Sequence, residues 1–106
     1  MFVYLINQSD SSLYKIGLSE NPNKRRKQLQ TANGVQLDLI KQFKTEFGFK
    51  LEKSLHRHFK PKQTIGEFFD LEDKDVSEFE TICERIEKNL KYLKENNSYI
   101  GDRKKW

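Results

Sequence analysis

The chain has 106 residues with a formal net charge of +4, 35% hydrophobic and 34% charged residues, and eight Phe, four Tyr and one Trp. That length holds one hydrophobic core and not two, and the aromatic content is enough to fill it, which excludes disorder throughout. A single cysteine, Cys83, excludes an internal disulfide and any zinc site built on paired cysteines, and no run approaches the ~20 apolar residues that span a bilayer. A reducing, cytoplasmic setting without a membrane is the expectation.

The charge is spread unevenly. Residues 1 to 65 hold 12 Lys/Arg against 5 Asp/Glu (+7), residues 66 to 90 hold 3 against 9 (−6), and residues 91 to 106 hold 5 against 2 (+3). A basic body with an acidic segment suits a polyanion binder that shields one face, and equally suits a solvated charged surface.

In chain order, "FVYLI" (2 to 6) and "LYKIGL" (13 to 18) flank the turn-prone "NQSDSS", a hairpin pattern. In "NPNKRRKQLQTANG", Asn21 caps, Pro22 takes the first helical position and Asn33-Gly34 stops a basic helix of about three turns. Alternation of Val35, Leu37 and Leu39 with polar residues predicts a third strand over 35 to 45. Phe47, Leu51, Leu55 and Phe59 recur at every fourth position, so 46 to 60 is an amphipathic helix that Pro61 ends. "GEFFDL" (66 to 71) is a short extended piece, and 73 to 96 repeats apolar residues at helical spacing with Glu78, Glu80, Glu84 and Glu87 on other faces. The sum is one α+β domain over 1 to 106: a small three-stranded antiparallel or mixed sheet flanked by helices, a long C-terminal helix, and a peripheral tail from 97.

The order and spacing of four pieces resemble the GIY-YIG nuclease superfamily over residues 2 to 71. Val3-Tyr4 stands where that family has Ile-Tyr, Lys15-Ile16-Gly17 where it has Tyr-Ile-Gly, and Arg25 where the next helix carries an essential Arg. "LEKSLHRHFKP" (51 to 61) is similar to the helix with the metal-binding Glu, which maps to Glu52. The form of "YKIG", "LQT" and "GEFF" is similar to a phage-associated branch found in viral, bacterial and fungal proteins. A second "YIG" at 99 to 101 is a decoy, since no strand pair or Arg helix follows it. The resemblance implies a metal-dependent endonuclease using Mg²⁺ or Mn²⁺, with DNA as the first expected substrate and RNA as the second. A homodimer and a viral or bacterial origin are compatible with it.

The residues can be read without the family. On a hairpin, residues two apart share a face, so Tyr4 meets either Lys15 or Tyr14 according to register. Phosphodiester hydrolysis needs a proton acceptor for water, positive charge on the phosphate and a cation at the leaving oxygen. Tyr4, Lys15, Arg25 and a cation on Glu52 supply these. Lys15 either serves as the base, which requires its pKa to fall from ~10.4 toward ~7 to 8, or stays charged and holds phosphate. Tyr14 then faces the core, or else takes the catalytic place itself. Glu52 and His56, four apart, share a helix face; His56 orients water, contacts phosphate or moves a proton, or is a surface histidine. Glu67 is either a second acidic site group or a solvated residue. Lys24, Arg26 and Lys27 around Arg25 form a phosphate-binding surface or a plain basic face. The alternative to a nuclease is a nucleic-acid-binding module in which Lys15 has replaced the base; a third reading is a protein-interaction domain that uses the acidic helix.

Overall fold

In the computed structural model, which describes the backbone of residues 1 to 103 and the side chains of 1 to 96, the chain forms four strands and four helices. Strands β1 (Phe2–Gln8) and β2 (Leu13–Ser19) make the hairpin; helix α1 (Pro22–Thr31) leads to β3 (Leu37–Lys44), then helix α2 (Gly48–His58) and a 3-10 turn at Lys60–Lys62. Strand β4 (Phe68–Asp70) and helices α3 (Asp73–Ser77) and α4 (Phe79–Arg103) complete it. The sheet is antiparallel with strand order β3-β1-β2-β4.

The hairpin closes on Asp10, whose φ of 60° suits a short polar side chain. Asn7 Nδ2 ties the turn by donating to the carbonyls of Ser11 (3.0 Å) and Leu13 (3.1 Å). Asn21 caps α1 by accepting from the Lys24 amide at 3.1 Å, with Pro22 in the first turn as its fixed φ favours. The third strand starts two residues later than its alternation predicts. Gln30 of α1 accepts from the Leu37 amide (2.8 Å) and donates to the Val35 carbonyl (3.0 Å), so this approach to the strand is tied to the helix rather than to β1.

Two further departures have local causes. The extended piece at 66 to 71 joins the sheet as a fourth strand, pairing Leu13, Tyr14 and Lys15 of β2 with Asp70, Phe69 and Phe68. Three residues are too few for alternation to announce a strand. The acidic helix predicted over 73 to 96 is two helices, since Ser77 Oγ donates to the Lys74 carbonyl (3.0 Å) and competes with the helical ladder where α3 ends. Helix α4 then runs to Arg103, past the expected start of a patternless tail, and carries Tyr99, Ile100 and Gly101 on a helix rather than a strand. The side chains of that decoy motif, and the basic end at 104 to 106, lie outside the described residues. Among the described residues no helix is long and apolar enough to cross a membrane.

The sheet separates two apolar layers. Val3, Leu5 and Ile16 point to α2 and α4, where Leu51, Leu55 and Phe79 are wholly buried. Burying each such side chain stabilises the fold by roughly 1.5–3 kcal/mol. Tyr4, Ile6 and Leu37 point the other way, under Leu29 of α1. Cys83 belongs to the first layer; burial above all, then the neighbouring Glu80, pushes its thiol up to about 12, as fits an inert core residue.

Candidate functional site at the sheet edge

The hairpin register decides which residues meet. Tyr4 pairs with Gly17 and Leu5 with Ile16, so Lys15 and Gly17 share the α1 face with Tyr4, while Tyr14 packs against the opposite, larger core layer. Lys15 is thus the residue of the "YKIG" run on the Tyr4 side. The Tyr4 ring lies across β2 with its hydroxyl over Gly17. A Cβ built at Gly17 falls 2.3 Å from Tyr4 Oη and 2.4 Å from Cζ, so any larger residue there collides with the ring. This explains the glycine of the motif, to which the sequence alone assigns no work. Alternation offers Tyr4 either Lys15 or Tyr14 as its neighbour, but the register sets Tyr4 opposite Gly17, with Lys15 two residues along on the same face.

Strand β4 pairs with β2 only as far as Lys15, and just before it Glu67 keeps the pairing going through its carbonyl, which accepts from the Ile16 amide at 3.2 Å. The Ile16 carbonyl is taken by a side chain instead: His56 Nε2 lies 2.8 Å from it. A carbonyl only accepts, so Nε2 carries a proton there, and Nδ1 is the ring nitrogen left to face the cluster. The His56 ring also stands edge-on to Phe69, with centroids 5.0 Å apart. Helix α2, lying on the larger layer, thereby sends His56 and Glu52 past the free edge of β2 toward the Tyr4 side.

Glu52, His56 and Glu67 each offer a ligand atom within 4.8 Å of the others. Glu67 Oε2 accepts from Lys15 Nζ at 2.6 Å, and the ammonium also lies 5.5 Å from the centre of the Phe68 ring. The Lys15 side chain is only 15% exposed. The edge is crowded and dry, and two groups feel it. Burial, then the charge of Glu67, holds the Glu52 carboxyl above the ordinary value, against the opposing pull of His56 and Lys15. Burial likewise raises the Tyr4 phenol; the nearby Arg25 guanidinium opposes that rise, while Glu67 and Glu52 add to it. These mutual influences bring Tyr4, Lys15, Arg25, Glu52, His56 and Glu67 into one cluster drawn from β1, β2, α1, α2 and the approach to β4.

The basic residues of α1 divide. Arg25 joins the cluster, and Lys24 and Lys27 are exposed. Arg26 turns back to the fold, donating from Nη1 to the Leu37 carbonyl at 3.3 Å, and so ties α1 to β3 rather than standing free beside Lys24 and Lys27. His58 is exposed and stacks edge-on against Phe59, with centroids 4.7 Å apart, away from the cluster.

The donor set fits a divalent cation. Two carboxylates and an imidazole converge, the Glu67 charge makes Glu52 costlier to ionise, and the imidazole is oriented by a backbone carbonyl as metal-binding histidines commonly are.

A family model, the T5orf172 domain, matches residues 1–96, and the chain belongs to that family. The family is associated with a GIY-YIG or nuclease-like fold. No curated protein matches the chain, and no solved structure does.

Proposed function

We propose that the protein is a metal-dependent endonuclease of the GIY-YIG type that hydrolyses phosphodiester bonds at the free edge of β2. The observation that carries this reading is the convergence there of one phenol, two cations, two carboxylates and one imidazole, with Tyr4 and Glu52 both desolvated. Membership of a family with a nuclease-like fold supports it.

The cation, Mg²⁺ or Mn²⁺, would be held by Glu52 with His56 and Glu67, and would supply positive charge at the leaving oxygen. The remaining work falls to the chain. Arg25 neutralises charge that grows on the transferring phosphate. Lys15, tethered by Glu67 and shielded by Phe68, acts as a fixed positive charge for a phosphate oxygen rather than as the base. Tyr4 keeps its proton in the free protein, because burial and two carboxylates oppose its ionisation. With Arg25 alongside, its hydroxyl is the group positioned to orient the attacking water and exchange a proton with it. Lys24 and Lys27 add affinity through the backbone of either DNA or RNA.

The test is cleavage of plasmid, single-stranded DNA and RNA with and without chelator, for the parent, Arg25→Ala and Glu52→Gln. Arg25→Ala should lose about 10²- to 10³-fold in rate and bind more weakly. Glu52→Gln should lose cleavage yet keep binding, because it removes a negative charge facing an anionic substrate. Binding without cleavage by the parent at any divalent cation concentration would replace the enzyme with a nucleic-acid-binding module.

A further inference from the structure

The helix that carries Glu52 and His56 has exposed surface beside them that the site does not use. At 100° per residue, Phe49 lies three positions before Glu52 and seven before His56, and therefore on the same line of α2, nearer its N-terminus. Despite that position its ring is 68% exposed. Lys50, Lys53 and Arg57 follow on the adjoining arc, all exposed. Lys53 Nζ sits 5.9 Å from the centre of the Phe49 ring, so cation and aromatic face are presented together.

Among the described residues these cations have no carboxylate partner to hold them to the fold. Lys41 pairs with Glu80 at 3.1 Å and Lys62 with Asp75 at 2.5 Å, whereas none of Lys50, Lys53 and Arg57 forms an ion pair among the described residues. An uncompensated basic arc with one solvent-facing aromatic, beginning beside two site residues, complements a strand with its phosphates on one side and an unpaired base on the other.

We infer that this face of α2 is the track for a single-stranded stretch of nucleic acid flanking the scissile phosphate, with one base stacked on Phe49 and phosphates on Lys50, Lys53 and Arg57. The inference rests on the nuclease reading and adds to it the strandedness of the substrate and the side on which it leaves the site.

The test is anisotropy of a fluorescein-labelled single strand of about 20 nucleotides, longer than one stacking platform covers, and of the matching duplex, in chelator so that nothing is cut, over a range of salt. The proteins are the parent, Phe49→Ala, Phe49→Leu, the triple Lys50→Ala/Lys53→Ala/Arg57→Ala, and Lys24→Ala/Lys27→Ala. Both Phe49 variants should weaken the single strand by about tenfold and the duplex much less, since leucine keeps bulk but offers no π-face. The triple variant should flatten the salt dependence for the single strand by about 0.7 for each phosphate no longer neutralised. Parental affinity in both Phe49 variants, or an unchanged slope in the triple variant while Lys24→Ala/Lys27→Ala loses affinity, would overturn the track and leave the nuclease reading standing. Equal weakening on duplex and single strand would overturn the strandedness. A dimer that Phe49→Ala dissolves, with nucleic-acid affinity unchanged, would overturn the track and assign the face to a second copy of the chain. No salt-dependent binding by the parent to either probe would overturn the nuclease reading itself.

Discussion

Two clusters in this molecule each hold a short lysine–carboxylate contact, and each contains one carboxyl that is shifted, in opposite directions. At the sheet edge Lys15 meets Glu67 at 2.6 Å, and at the start of α3 Lys62 meets Asp75 at 2.5 Å. Partial burial acts against the Asp75 charge, but the Lys62 hydrogen bond and the Glu72 amide, at 2.9 Å, outweigh it and hold that carboxyl below its ordinary value. The result is structural: a closed capping box that starts a helix. Glu52 has no such resolution. A dry edge and a second carboxylate hold it above the ordinary value, with only His56 and Lys15 pulling back. A satisfied carboxylate here is a joint in the fold, and the unsatisfied one among convergent donors is what the proposed cation site rests on.

The contrast can be broken first at the chemistry. Tyr4→Phe removes only the hydroxyl over Gly17, and loss of a positioned proton-transfer group typically costs about 10²- to 10⁴-fold in rate. Single-turnover cleavage by a variant with parental melting behaviour is the measurement, and parental rates would remove Tyr4 from the site. Tyr14→Phe, on the other face of the same hairpin, should leave the rate within a few-fold of the parent.

Next in size is Gly17→Ala. The added methyl falls 2.3 Å from Tyr4 Oη, so the ring or the strand must shift. Overpacking of this kind costs typically about 1–3 kcal/mol, read by denaturant unfolding, and cleavage should fall with it. If Gly17→Ala unfolds at the parental midpoint, the Tyr4 ring does not lie across β2.

The smallest effects separate the two carboxylates by sign. Glu52, with its folded pKa raised, favours the folded state below the unfolded value and loses that contribution as pH rises through the folded one, so at neutral pH its charge is a cost. Glu52→Gln should therefore raise the melting temperature at pH 7 by roughly 1–5 °C, with the gain shrinking as the pH falls into the carboxylate range. Asp75 is the mirror case: its contribution is present above the unfolded pKa and lost as pH falls through the lowered folded value. Asp75→Asn should lower the melting temperature at pH 7, with the deficit closing in acid. The same sign for both variants would erase the distinction.

Much of the fold is legible in the sequence, and for a physical reason. The hairpin, α1 and α2 are announced by local chemistry: the polar turn, Asn21-Pro22, and Leu51, Leu55 and Phe59 at fourfold spacing, all of which the structure buries or caps as expected. What escapes depends on partners distant in sequence. Strand β4 is a strand only because β2 is there to pair with it, and β3 starts late because Gln30 claims the backbone before it. At the site, the resemblance to the GIY-YIG superfamily, together with strand alternation and helix spacing, points to the residue identities, but not to the tether between Lys15 and Glu67, the fixing of His56 by the Ile16 carbonyl, or the inward turn of Arg26. Each of these is a tertiary contact across at least 11 residues of chain, which no local pattern encodes.

The claim that the unsatisfied cluster awaits a cation is tested most directly by titrating Mn²⁺ at pH 7 into the parent, Glu52→Gln and Asp75→Asn, following free Mn²⁺ by its electron paramagnetic resonance signal. The account predicts one saturable site in the parent and in Asp75→Asn, and its loss in Glu52→Gln. Equal Mn²⁺ binding by Glu52→Gln and the parent would contradict it.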